Sequence, residues 1–181
     1  ARARRLHALA VQVSKPAIEG GFDGTIPGSI EQLLELPGIG AYTAAAVGSI
    51  AFDLHVGVVD GNVRRVASRQ TGNPNPTHDL VSIWANSMLI PGRPGDSNQA
   101  MMDLGEVICK PKAPKCELCP ISDSCQGKEN PLAYPAATKR KKSIENLDAA
   151  VLLDPSGRPR LSRRDPSERF GGMWGPPMRD I

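Results

Sequence analysis

All four cysteines of this 181-residue chain fall in one short stretch, as Cys109, Cys116, Cys119 and Cys125. A secreted disulfide framework spreads its cysteines to staple distant segments, whereas a cluster of this kind points to a reducing compartment and a bound metal. Four thiolates in this order suit a tetrahedral zinc or the four irons of a cubane cluster, and spacing alone leaves both open. His7, His55 and His78 have no ligand-like spacing to them. Between the first two cysteines, Lys110-Pro111-Lys112-Ala113-Pro114-Lys115 makes a stiff loop with three positive charges. Such lysines are either plain surface or, beside a metal-pinned backbone, contacts for phosphate.

The core around this stretch must come from Ala, Val, Leu, Ile and Met, because aromatic residues are only 4% of the chain. Hydrophobic content of 40% against 23% charged is a globular balance,. No apolar run approaches the ~20 residues of a membrane span, and no signal-peptide pattern is present. The net charge of +3 leans mildly toward anionic partners,.

Periodicity predicts a mainly α protein. Leu6, Leu9, Ala10 and Val13 fall at helical spacing. Ser29-Ile30-Glu31-Gln32 is a capping box, with the serine hydroxyl taking the Gln32 amide proton and the Gln32 side chain reaching back,. A helix over residues 41–52 is rich in small residues that permit close approach. An extended piece at 56–59 leads to Asp60-Gly61-Asn62 and a helix through Arg69. Leu80, Ile83, Trp84, Ser87 and Met88 mark the inner face of the next helix, and residues 97–108 form another. The division expected is a helical core over 1–108, a metal loop over 109–125, a linker over 126–146 and a different domain over 147–181. The linker carries the basic run Lys139-Arg140-Lys141-Lys142. The last segment opens with a β-hairpin pattern around Asp154-Pro155-Ser156-Gly157,. Both ends read as cut, so a fragment is expected.

Two motifs carry chemistry. In Leu36-Pro37-Gly38-Ile39-Gly40 the glycines let the backbone turn sharply and expose amide N–H groups ahead of a helix N-terminus,. That is either a phosphate nest or an ordinary αα-turn. In Val59-Asp60-Gly61-Asn62-Val63-Arg64-Arg65, Asp60 or Asn62 can cap the following helix,. A capping carboxylate is also held ionised by the amides and dipole there, as a reaction through a sugar cation requires. Arg64 and Arg65 are candidate phosphate contacts or a solvated helix face.

Taken together and in this order, the motifs resemble the helix-hairpin-helix superfamily of base-excision DNA glycosylases. The cysteine spacing is similar to the [4Fe–4S] loop of the endonuclease III and MutY branches, and that resemblance favours iron–sulfur over zinc. The endonuclease III branch has a nucleophilic lysine where this chain has Tyr42, which cannot form an imine. Val59-Asp60-Gly61-Asn62 and Asn98-Gln99-Ala100-Met101-Met102-Asp103-Leu104-Gly105 look like adenine DNA glycosylases of the MutY family. Phe170-Gly171-Gly172-Met173-Trp174-Gly175-Pro176-Pro177 looks, more loosely, like the start of that family's α+β Nudix-like domain.

The resemblance implies removal of adenine mispaired with 8-oxoguanine or guanine in double-stranded DNA, by a monomer with no membrane partner. Asp60 would stabilise or attack the sugar cation, with Asn62 and Tyr42 lining the pocket. Pro37, Gly38, Ile39, Gly40 and Ala41 would grip a phosphate, with Arg64, Arg65, Lys110, Lys112 and Lys115 supporting the docking. Cys109, Cys116, Cys119 and Cys125 would hold the cluster. The family's general acid, a glutamate, precedes the first residue here, so the chain as it stands is expected to have little or no activity. Its place would be the nucleus and mitochondrion in a eukaryote, otherwise the cytoplasm. A mismatch thymine or uracil glycosylase and a non-catalytic DNA-binding module are the rival readings.

Overall fold

The computed structural model describes residues 2–137, 146–168 and 170–180. They belong to two units, residues 1–137 and 138–181. The basic run Lys139-Arg140-Lys141-Lys142 lies outside the described residues.

The first unit is helical: α1 (Arg2–Ser14), α2 (Ile30–Glu35), α3 (Ala41–Ala51), α4 (Gly61–Gln70), α5 (His78–Ser87) and α6 (Pro94–Asp103). Among the described residues no helix is long and apolar enough to cross a membrane. Ser29 caps α2 as expected, accepting the Gln32 amide at 3.3 Å. The return arm of the capping box differs: Gln32 Oε1 takes the Ser29 hydroxyl at 3.3 Å rather than reaching the Ser29 backbone.

Two small aliphatic cores form. Val13, Leu33, Leu36 and Ala44 bury one between α1, α2 and α3, and Val63, Ala67, Val81 and Ala85 bury the other between α4 and α5. The small residues of α3 do what their size suggests: Ala44, Ala45, Gly48 and Ser49 are buried. A Cβ on Gly95 of α6 would stand 2.8 Å from the Ser49 carbonyl oxygen, so α3 and α6 touch backbone to backbone.

Three expectations are corrected. In α5 the buried residues are Val81 and Ala85, while Leu80 and Ile83, expected inside, are exposed. Apolar residues occupy both adjoining helical rows, so periodicity alone chose the wrong row. Helix α6 starts earlier than expected, at Pro94, because proline's fixed φ suits the first helical position,. Residues 126–137, expected as linker, fold back onto the end of α4. There Gln126 and Gly127 donate to the carbonyls of Gln70 and Arg69, and Ala136 donates to that of Pro74.

In the second unit, β1 (Leu147–Ala149) pairs antiparallel with β4 (Met178–Asp180), and β2 (Ser162–Arg163) with β3 (Trp174–Gly175). The expected turn is present: Gly157 N donates to Asp154 O at 2.9 Å with Gly157 at φ +80°. Its arms meet only near the turn, at Leu153 and Pro159, and then diverge to these other partners.

Candidate nucleic-acid interface and metal centre

The loop joining α2 to α3 turns at Gly38, whose φ of +86° disfavours any residue with a Cβ,. The stem of Arg5 lies against it, 2.8 Å from where that Cβ would stand. Gly40 then caps α3 with extended backbone and no side-chain hydrogen bond, so the first-turn amides of Ala41, Tyr42 and Thr43 have no side-chain cap. Pro37, Gly38, Ile39 and Thr43 line a groove with Arg2 and Arg5 of α1.

A second element presents Asp60. The extended segment before it is fixed from both sides. Gly57 N donates to Asn86 Oδ1 at 2.8 Å, and Val58 N donates to Asn98 Oδ1 at 2.9 Å. Asn98, 4% exposed, also donates to the Ser49 hydroxyl and the Val56 carbonyl, both at 2.9 Å. The chain therefore enters α4 in one register. Asp60 is its N-cap, with Oδ1 accepting the Val63 amide at 2.7 Å. No hydrogen bond is made to Oδ2 among the described residues.

Asn62, in the first turn of α4, is half-buried and packs against Gly105, where a Cβ would lie 2.7 Å from its own. Gly105 sits in a π-helical stretch, Leu104–Ile108, that continues α6 and ends with Cys109 N donating to Leu104 O at 2.7 Å. Tyr42 is exposed on α3, and its hydroxyl reaches Met102 Sδ of α6 at 3.7 Å. The structure thus brings Asn62 against Gly105 and Tyr42 against Met102, three residues apart on the stretch that leads into the cysteine loop,.

The expectation for Arg65 is corrected. It turns inward: Nε donates to the Cys109 carbonyl at 2.9 Å, and Nη2 donates to Asn62 Oδ1 at 3.0 Å and to Gly105 O at 2.6 Å. Burial pushes its pKa down, while the charges of Cys109 and Asp60 push it up and that of Arg69 opposes them. Arg64 makes no such inward bonds and remains half-buried.

The cysteine loop is a string of tight turns. Lys115 N and Lys110 N both donate to Ile108 O at 2.9 Å, closing the base of the lysine loop and leaving Lys110, Lys112 and Lys115 exposed. Cys119 N donates to Cys116 O, and Cys125 N to Ser122 O. All four cysteines line one cavity, walled by Val66, Leu104, Ile108 and Pro131; none of the histidines reaches it. Burial pushes the Cys125 thiol up, the Gly127 amide opposes, and the charges of Cys109, Cys116 and Cys119 push further up. Four thiolates facing one apolar cavity need a cationic centre to coexist, so the donor set fits a metal cluster.

Arg69 was missed from sequence. It is 2% exposed and reaches the carbonyls of Cys109, Lys110, Pro111, Pro131 and Tyr134. Asn98, in sequence no more than a part of a motif, is the residue that fixes the approach to Asp60. An Arg or Asn falling on an otherwise apolar helix face is the signal that would have found both.

Comparison with known proteins agrees with this geometry. The helix-hairpin-helix motif model matches residues 21–49, and the iron-sulfur binding domain of endonuclease III matches residues 109–125. Residues 109–125 are thus an iron–sulfur loop of that type. The chain is 36% identical, over 93% of its length, to the adenine DNA glycosylase of Rattus norvegicus, and covers 36% of that protein. It is 44% identical, over 69% of its length, to the adenine DNA glycosylase of Mus musculus, covering 24% of it. Among solved structures, a thermostable thymine-DNA glycosylase aligns with TM-score 0.61 and 35% identity over 71% of this chain and 58% of that one. A trapped endonuclease III–DNA covalent intermediate aligns with TM-score 0.58 and 25% identity over 70% of this chain and 58% of that one.

Proposed function

Because this chain belongs to the adenine DNA glycosylase family, we propose that the full protein hydrolyses the N-glycosidic bond of adenine mispaired with 8-oxoguanine or guanine in duplex DNA. The chain itself spans about a third of the rat relative. The observation that carries the reading is Asp60. Its Oδ1 is held by the Val63 amide at a helix N-terminus, at the end of a segment locked by Asn98, while Oδ2 has no hydrogen-bond partner among the described residues. A carboxylate so oriented can face the sugar cation that forms as the base leaves.

In this reading adenine is flipped out of the helix, which requires unstacking it and gripping the backbone on either side. The amides of residues 37–41 take a phosphate, with Arg64 on α4 and Lys110, Lys112 and Lys115 on the loop as further phosphate contacts. Asp60 stabilises the cation at C1′, or attacks it transiently. Asn62 and Tyr42 line the base pocket. Tyr42 occupies the place where an amine would be needed for lyase chemistry, so the reaction ends at base release. The cluster supplies no base chemistry and holds the lysine loop in shape. The protein acts as a monomer, in the nucleus and mitochondrion of a eukaryote or in the cytoplasm of a bacterium. Residues 147–181 begin the part that reads 8-oxoguanine, after a helical core over 1–108 and a cluster loop over 109–125; residues 126–137 belong with that core.

A thymine-releasing mismatch glycosylase is the second reading, favoured by the 35% identity to the thymine-DNA glycosylase structure. Single-turnover assays of the full-length protein on A:8-oxoguanine and G:T duplexes separate the two. Adenine release from the first supports the proposal; thymine release from the second alone overturns it.

A further inference from the structure

Arg69 is buried in the first unit, and no step of the proposed reaction uses it. Its guanidinium collects acceptors from both flanks of the cysteine loop. Nη1 donates to Cys109 O at 3.1 Å and Lys110 O at 2.9 Å, and Nη2 to Pro111 O at 3.2 Å. Nε donates to Pro131 O at 2.8 Å and Tyr134 O at 3.1 Å. Nη1 also lies 3.2 Å from Cys109 Sγ as donor. At the same helix end, Arg69's own carbonyl accepts the Gly127 amide at 2.7 Å and lies 3.5 Å from Cys125 Sγ. One residue therefore touches the first and last cysteines and the segment that follows them.

Burying a guanidinium to 2% exposure is costly unless every donor is matched,. Here its partners among the described residues are almost all carbonyls, and none is a carboxylate. The one acceptor able to carry negative charge is the Cys109 sulfur, which is a thiolate when it binds metal. The surroundings of Arg69 are thus completed by the loaded loop. Donors to ligating sulfurs, together with solvent exclusion, are what a protein uses to fix a cluster's stability and potential.

We infer that Arg69 is the positioning residue of the [4Fe–4S] cluster, donating a charged N–H to the Cys109 sulfur while clipping residues 131–134 over the same cavity. Pro131, whose carbonyl it holds, is one of the cavity's walls. A lysine keeps the charge at this position but lacks the planar fork, so it cannot serve the sulfur and both strands of backbone together.

The test uses the cluster-loaded chain. In air, R69K and R69Q should lose the visible absorption of the cluster about tenfold faster than wild type, by analogy with the loss of other outer-shell partners. Their reduction potential should fall, because a charged donor to sulfur favours the more electron-rich state. Wild-type protein labelled with ¹⁵N-guanidinium arginine gives a direct readout that depends on no variant. Pulsed EPR of the paramagnetic cluster should show an arginine nitrogen coupling, and R69K should lack it in whatever fraction holds the cluster. A wild-type spectrum without that coupling overturns the inference, and so does R69K with unchanged coupling, potential and lifetime. If neither variant folds, labelled R65Q decides, because Arg65 is the other guanidinium at Cys109: coupling retained in R65Q supports Arg69, and coupling lost there overturns the inference.

Discussion

Arg65 Nε donates to the Cys109 carbonyl at 2.9 Å, so the helix that begins at Asp60 is bonded directly to the first residue of the cysteine loop. The same guanidinium holds Asn62 Oδ1 and Gly105 O. A shift of the loop therefore acts on the residues beside Asp60. R65Q should cost about 2 kcal/mol in urea unfolding, from the loss of charge-assisted bonds at partly buried acceptors. Its duplex-binding salt slope should stay as in wild type, whereas each of K110A, K112A and K115A should flatten that slope by about 0.9. A flattened slope for R65Q would restore Arg65 to the phosphate contacts.

Capping and catalysis can be separated at Asp60. Asparagine caps a helix about as well as aspartate, while alanine costs about 1 kcal/mol. D60N should therefore melt close to wild type and D60A clearly below it, with both inactive in the full-length protein. Thermal unfolding followed by circular dichroism checks the first part.

G38A meets two obstacles, the left-handed φ of +86° and the Arg5 stem 2.8 Å from the new Cβ. The expected cost is about 1–3 kcal/mol of local strain. Because the hairpin must give way, duplex affinity should fall as well, measured by fluorescence anisotropy at fixed salt.

N98A removes the shared partner of the Val58 amide, the Ser49 hydroxyl and the Val56 carbonyl, which the structure buries together. Stranding them should destabilise the first unit by about 2–4 kcal/mol. Hydrogen exchange at the Val58 amide should rise before that of the α1–α2 core.

In the second unit Asp154 is held at a pKa of about 2 by the Ser156 hydroxyl, with the Arg158 amide and side chain adding to it. The folded value lies below the ordinary 3.8, so the ionised carboxylate favours the turn,. Its contribution is fully present above the unfolded value and is lost as pH falls through about 2. NMR titration of the carboxyl should show this, and D154N should abolish the low-pH step.

Features written in local order were legible from sequence, and those made by distant pairs were not. The glycines of the α2–α3 loop, the Ser29 cap and the cysteine spacing each act within a few residues, and each is where the pattern put it. The pattern reads Arg65 as a phosphate contact or a solvated face, and Arg69 only as the end of a helix, because partners of both lie some forty to sixty-five residues away in the chain. The burial of α5 depended on which of two apolar rows meets α4, a choice made by packing. Residues 126–137 have the Pro and Gly of a linker, yet their backbone donors find the exposed carbonyls at the end of α4,.

The most direct measurement is single-turnover base release by the full-length protein and its D60N variant on an A:8-oxoguanine duplex, with DNA affinity measured in parallel. Wild type should release adenine, and D60N should bind the duplex equally well while releasing adenine at least about a thousandfold more slowly. Equal release by the two would remove Asp60 from the chemistry and contradict the proposed mechanism.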